Sequence, residues 1–240
     1  MLKKILMITL VLGLSGCASV PKETLEQSSA DEMRANDIVV AFSYPSKKIN
    51  YSEMVYKVLW NETHTSDASF KGIWDIDRDL SHQFSQQFQN QGLRAVSIDE
   101  VLNGNEYEKY SDLMATSIIN AQESEKFKLD EKLRSSLVEK GYEYLIALRG
   151  LIIQAQVYSL FSPDPYVNLS YRMRVINLKN NSVEYTNVFM LRTYPDVVKS
   201  PREIEDNKLA ILRAELSKSI RASFGGGGIT ESMGLVAVPK

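Results

Sequence analysis

The chain has 240 residues, with 28 lysines and arginines against 30 aspartates and glutamates, a formal net charge of −2. At 44% hydrophobic and 24% charged residues it lies in the ordinary globular range, which excludes a disordered or collagen-like chain. The single cysteine rules out an internal disulfide and any cysteine-based zinc site, and the balanced charge gives no general attraction to nucleic acid.

Residues 1–16 stand apart from the rest. Lys3 and Lys4 form a short positive region, Ile5 to Leu14 an apolar run, and Ser15 and Gly16 a small-residue end. The apolar run is shorter than the roughly 20 residues a bilayer-spanning helix needs, so the layout is that of a cleaved signal peptide. Leu14-Ser15-Gly16-Cys17 then closely resembles the bacterial lipoprotein box. That resemblance implies a lipidated Cys17 as the new first residue, with a diacylglyceryl thioether on sulfur and an acylated amino group. Several acyl chains hold a protein firmly where a single chain holds it only marginally. By resemblance to enteric lipoproteins, Ala18 in place of Asp implies the outer membrane, with the protein facing the periplasm.

Residues 18–36 carry few large apolar groups and read as a polar tether, about 65 Å long when pulled taut. The expected organisation is a signal peptide at 1–16, lipidated cysteine and tether at 17–36, one α/β domain at 37–224, and a glycine hinge with a tail at 225–240.

Within the domain, Asp37 to Ser43 is a short β-branched run read as a buried strand. A turn at Pro45 to Lys48 would return the chain through Ile49 to Asn61, read as a strand hairpinned to the first, and 62–72 reads as a polar loop. Ile76, Leu80, Phe84 and Phe88 recur every four residues, with Asp75 or Asp77 as the cap and Gly92 as the stop, which predicts a helix. Leu93 to Ile98 is the next strand. Tyr107, Tyr110, Met114 and Ile118 predict a second helix, and Leu129, Leu133 and Leu137 a third that ends at Gly141.

Tyr144 to Ile153 is nearly continuously apolar, as a strand covered on both faces would be. Val167 to Leu178 alternates, and after Asn180-Asn181-Ser182 the pattern continues through Val183, Tyr185, Phe189 and Leu191. A three-residue loop would set Met173 opposite Phe189 and Tyr171 opposite Leu191. Ile204, Leu212, Leu216, Ile220 and Phe224 predict a long last helix that stops at Gly225 to Gly228. The fold class is α+β: a mixed, largely antiparallel sheet with amphipathic helices packed on it.

The run GYEYLIALRG, followed by VNLSYRMRVINLKNNSVEYTN and an amphipathic closing helix, resembles the curli-secretion-channel and penicillin-binding-protein-activator group of outer-membrane lipoproteins. The likeness covers about residues 130–224. Asn180-Asn181 stands where that group often has Thr-Gly. The resemblance implies accessory, scaffolding or assembly roles and no catalytic residues.

The search for catalytic chemistry points the same way. His64 falls in a polar segment and His82 on a helix, 18 residues apart, with no ligand or nucleophile motif around either. Gly225 to Gly228 follows a helix and lacks the Gly-Lys-Ser/Thr ending of a phosphate loop. Asp75 and Asp79 are solvated charge at a helix N-terminus. No enzyme activity, metal or cofactor is expected, and the alternative is an envelope hydrolase assembled from distant residues.

Two segments carry candidate partner contacts. One is the proline-stiffened loop with Phe161 and Tyr166, whose aromatics would otherwise fold back on the hairpin. The other is the tail around Val236, able to add as a strand to its own sheet or to a neighbour's. The expected job is non-enzymatic help to an envelope assembly or transport system, through the membrane anchor at Cys17 and an envelope protein partner. A second copy of the chain, in an oligomeric secretion assembly, is the other partner considered.

Overall fold

A computed structural model describes residues 24–57, 60–108, 127–157, 165–195, 200–226 and 228–235. Seven strands form one mixed sheet: β1 (Asp37–Ser43), β2 (Lys48–Lys57), β3 (Trp60–Ser69), β4 (Arg94–Ser97), β5 (Tyr144–Val157), β6 (Tyr166–Asn177) and β7 (Ser182–Thr193). The helices are α1 (Gln27–Ala35), α2 (Ile76–Asn90), α3 (Ile98–Val101), α4 (Glu131–Glu139), α5 (Pro201–Ser223) and α6 (Ile229–Ser232). The α+β class holds. The antiparallel ladders β2–β3, β5–β6 and β6–β7 are longer than the parallel pairings of β1 with β4 and β5 and of β2 with β5.

The long central strand β5 explains the topology. β1 runs parallel to its first half, from Ile38 opposite Tyr144 to Ser43 opposite Arg149, and β2 runs parallel to its second half from Asn50 opposite Gln154. β1 and β2 therefore follow one another along the same edge of β5 and do not form the expected hairpin. The break between them faces an irregularity in β5 between Gly150 and Ile152. Tyr44 fills that gap. Its hydroxyl accepts from the Ile153 N–H (3.2 Å) and donates to the Lys48 carbonyl (2.7 Å), standing in for the missing ladder. A Cβ on Gly150 would lie 2.7 Å from the Tyr44 ring, so the residue without a side chain makes the room. The turn residues predicted at 45–48 are real, but they offset the chain instead of reversing it.

The second correction follows from the first. With its other edge on β5, β2 pairs antiparallel with β3, so the segment read as a polar loop is a strand. Its hydrophilic sequence, Trp60 to Ser69, suits an edge strand that no described helix covers, where apolar periodicity is not required.

The outer side of β1 shows how α2 is held. β1 pairs with β4 only as far as Val40 opposite Ser97. Beyond that point the Phe42 N–H donates to Ser81 Oγ (2.8 Å) and the Tyr44 N–H to Asp77 Oδ1 (2.8 Å). Ser81 and Asp77 sit one turn apart on α2, so two helix side chains continue the ladder where β4 ends. Lys47 forms an ion pair with the same Asp77 carboxylate. Burial nevertheless raises Asp77 above the usual carboxylate range, against the opposing effect of Lys47. Asp75 caps α2 by accepting from the Arg78 N–H, and Gly92, at φ 88°, ends it as expected.

One face of the sheet packs under α1, α2, α5 and α6, with Phe42, Ile146, Leu148, Met173 and Val175 against Leu80, Phe84, Leu212, Leu216 and Ile220. The opposite face carries a smaller core, in which Val39, Ala41, Leu145, Ala147 and Ile176 meet Ile98, Leu102, Tyr107, Phe127, Leu133 and Leu137. Tyr107 lies in that core as read, while Tyr110, Met114 and Ile118 lie outside the described residues.

Four further segments differ from the sequence reading. Residues 27–35, assigned to the tether, form α1, because Leu25, Ala30 and Met33 are enough to bury one face against the core. The glycine run does not release a loose tail at once: Ile229, Met233 and Leu235 are buried, and α6 closes over the core. In the β6–β7 hairpin, Tyr171 faces Phe189 and Met173 faces Asn187, two residues away from the expected register. The connection is the four residues Leu178 to Asn181, with Leu178 buried, and an irregularity lies between Val175 and Ile176. A shift of two keeps every side chain on its face, which is why the alternation was read correctly while the pairing was not. In α5, Asn207, Lys208 and Leu209 take left-handed φ values of 52°, 55° and 65°, dividing the predicted long helix into two.

Candidate interaction face

The second half of the β5–β6–β7 sheet, on the side of the smaller core, carries polar and basic groups that no described helix covers. Strand alternation places them there. Met173 and Val175 face the larger core, so their neighbours Arg172 and Arg174 face the other way. Arg149 on β5 stands directly opposite Arg172 on β6. Arg174 is 1% exposed, with its guanidinium 4.8 Å from the Phe127 ring. Burial, and then the charges of Arg172 and Arg149, push the Arg174 guanidinium down to about 10. Arg149 is lowered by burial and by Arg172. Arg149, Arg172 and Arg174 thus gather in one half-buried zone of the sheet face.

Toward the end of β5 this zone passes into a polar strip that includes Gln154 and Asn168, and then to the rim. There Arg192 stacks over Tyr166 at 4.3 Å. Beside it Met190 is 63% exposed and Val188 49% exposed on β7. Tyr166 is thus an ordered residue at the start of β6, half-buried and held by a cation–π contact. Its loop neighbour Phe161 and the tail residue Val236 lie outside the described residues, as does Cys17. The basic strand was legible from its alternation in the sequence. The pairing of Arg149 with Arg172 was not, because register decides it.

His82 occupies a different cluster. Its Nε2 lies 2.9 Å from Asp99 Oδ2 and its Nδ1 lies 3.1 Å from Glu100 Oε1. Ser97 Oγ donates to Asp99 Oδ1 (2.5 Å), and Arg78 reaches the same carboxylate at 3.4 Å while lying 5.0 Å over the Tyr107 ring. The carboxylate therefore stands between the hydroxyl and the imidazole. A serine nucleophile needs the imidazole next to it, so this trio has the wrong order for acyl transfer. His64 is exposed on β3, 3.7 Å from Glu62. Among the described residues, no group of three or more His, Cys, Asp or Glu could hold a metal ion, and no helix is long and apolar enough to cross a membrane.

The first and last described segments meet. The Leu25 N–H donates to the Met233 carbonyl (3.0 Å), and Arg34 reaches the Gly234 carbonyl (3.5 Å). Tyr144 at the start of β5 donates to Glu32 of α1 (2.7 Å). The first and last described residues thus lie at the end of the sheet where β5 begins, away from the rim with Tyr166 and Arg192.

No protein-family model matches the chain, and no curated protein matches it. Its fold is similar to that of the hypothetical protein CT253 from Chlamydia trachomatis, at 12% identity and a TM-score of 0.40, over 78% of this chain and 99% of that one. Lipoprotein GNA1162 from Neisseria meningitidis is similar at 12% identity and a TM-score of 0.39, over 78% of this chain and 99% of the other. The C-terminal domain of LpoB from Salmonella enterica is similar at 9% identity and a TM-score of 0.28, over 73% of this chain and 96% of that domain.

Proposed function

We propose that this chain is a non-enzymatic lipoprotein, anchored in the outer membrane through acylated Cys17 and facing the periplasm, that serves an envelope assembly or transport system through protein contacts. The observation that carries this reading is the sequence Leu14-Ser15-Gly16-Cys17, set seven residues before Thr24, the first described residue. Seven peptide steps reach at most about 25 Å, so Cys17 lies within that distance of Thr24. Leu25 meets Met233 at the end of the sheet where β5 begins, which leaves the Arg192 and Tyr166 rim at the other end of the sheet available for a partner. The His82 cluster, with carboxylates against both ring nitrogens, supports a contact role over the hydrolase alternative.

Two measurements test the reading. Intact mass of the protein from membranes is expected to show cleavage before Cys17 and added acyl chains, with Cys17→Ser remaining unprocessed and unlipidated. A photo-crosslinker at Tyr166 in living cells is expected to capture one dominant envelope protein. An unacylated mature chain would refute the anchor. Undiminished capture by a variant with the crosslinker moved to exposed Ile73, on another part of the surface, would refute the contact face.

A further inference from the structure

The irregularity in β5 that admits Tyr44 has a second effect, on the other face of the sheet. A Cβ on Gly150 would point at Tyr44 and Phe42 in the larger core, and Ile153 lies in that core too. Leu151 and Ile152 between them therefore both turn to the opposite face, where regular alternation would turn only one of them. Leu151 is exposed there and Ile152 is half-buried. Val188 and Met190 on β7 reach the same face, since Phe189 and Leu191 beside them pack on the larger core.

Between these apolar side chains runs β6. Ile152 stands opposite Ser170, and Ser170 opposite Met190. Ser170, small and buried, is the floor of a shallow groove along the strand, with Met190 on one wall and Leu151 and Ile152 on the other. The groove continues a helical layer. Nearer the start of β5 the same face is covered by Leu133 and Leu137 of α4, which pack on Leu145, Ala147 and Ile176. A sheet face that presents apolar side chains is completed by a packed helix, and no described helix occupies this half.

Length and charge define what fits. The stretch of β6 from Arg172 to Tyr166 spans about 20 Å, the length of roughly 13 helical residues. Every charged residue in these rows of β5, β6 and β7 is an arginine, namely Arg149, Arg172 and Arg192, and Arg192 is the exposed one. Carboxylates complement that end of the groove.

We infer that this half of the face receives one acidic amphipathic helix of an envelope protein, its apolar stripe over Ser170 between Met190 and Leu151 and its carboxylates toward Arg192. The inference rests on the protein-contact reading above and names the shape and charge of the partner.

The test uses the full chain purified in detergent and phage-displayed peptides of about 14 residues. One library has apolar residues at i, i+3, i+4 and i+7 with Asp and Glu on the flanks. A second has the same stripe with Lys and Arg, and a third alternates apolar and polar residues. The acidic helical library is expected to be enriched. A synthetic peptide from it should lose about tenfold or more in affinity, by fluorescence anisotropy, against Met190→Asp and against Leu151→Asp. Ile73→Asp, elsewhere on the surface, should bind like the parent. Arg192→Glu should turn the preference to the basic library. Enrichment of the basic or the alternating library by the parent overturns the inference, and so does Met190→Asp binding as the parent does. A parent whose sedimenting mass falls on Met190→Asp, with no peptide added, would assign the groove to a second copy and overturn it too. Peptides that require Met190, together with no protein captured from Tyr166 in cells, would uphold the groove and refute the partner reading. Capture at Tyr166 with no library enriched would do the reverse.

Discussion

Replacing Tyr44 by Phe removes one oxygen from the point where β1 gives way to β2. The ring stays, with its stacking on Phe70 at 6.0 Å between centroids, so packing is nearly unchanged. What is lost is the acceptor for the Ile153 N–H at 3.2 Å and the donor to the Lys48 carbonyl at 2.7 Å. Lys48 is exposed, so its carbonyl finds water easily, while Ile153 is fully buried and its amide is left without an acceptor. An orphaned buried donor costs about 1–3 kcal/mol. At ~2–4 °C per kcal/mol for a domain of this size, the melting temperature should fall by roughly 2–12 °C. Urea denaturation should show a lower midpoint with an unchanged slope, because the exposed surface is the same. Amide exchange should accelerate most at Ile153. A variant within about 0.5 kcal/mol of the parent, with Ile153 protection intact, would refute the claim that the phenol substitutes for the ladder.

Three other outcomes are expected. Gly150→Ala should destabilise the fold by about 1–3 kcal/mol in the same denaturation assay, since its Cβ would sit 2.7 Å from the Tyr44 ring and 3.0 Å from Phe42. Asp77→Ala should lose about 1–3 kcal/mol by orphaning the Tyr44 N–H, whereas Asp77→Asn keeps an acceptor and should stay within about 1 kcal/mol of the parent at neutral pH. Because the folded state raises the Asp77 pKa, it binds more protons than the unfolded chain. The contribution of Asp77 is therefore full below its ordinary carboxylate value and is lost as pH rises through the folded value. Stability measured from pH 3 upward should show that decline in the parent and lack it in Asp77→Asn. Lys208→Gly should stabilise the fold by up to about 1 kcal/mol, because Lys208 is exposed at φ 55°, where a Cβ is penalised and a glycine is not. Unchanged or lower stability would contradict that source of strain.

Helices were legible where a stripe and a cap coincided. Ile76, Leu80, Phe84 and Phe88 behind Asp75 satisfy local hydrogen bonding and burial at once, and Leu133 and Leu137 were read from their stripe before Gly141, while the Asp130 cap of that helix appears only in the structure. β1, β5 and β6 were legible because they are covered on both faces or alternate strictly. β3 was missed because an exposed edge strand needs no apolar period, and α1 was missed because three buried residues in a polar stretch leave a weak stripe. The candidate face shows the same division. Arg172 and Arg174 could be placed on the strand face opposite Met173 and Val175, but not Arg149 beside them, nor Arg192 over Tyr166.

The sequence by itself therefore determined the class of fold and which way most side chains point, since each depends on a residue's own neighbourhood. Only the tertiary structure decided that β1 and β2 run end to end along β5, that Ser81 and Asp77 complete a strand edge, and that the irregularity in β5 turns Leu151 and Ile152 to one face of the sheet. Strand partners and register are chosen by pairing between segments far apart in the chain, where a shift of two residues leaves the local pattern unchanged and moves every cross-strand contact.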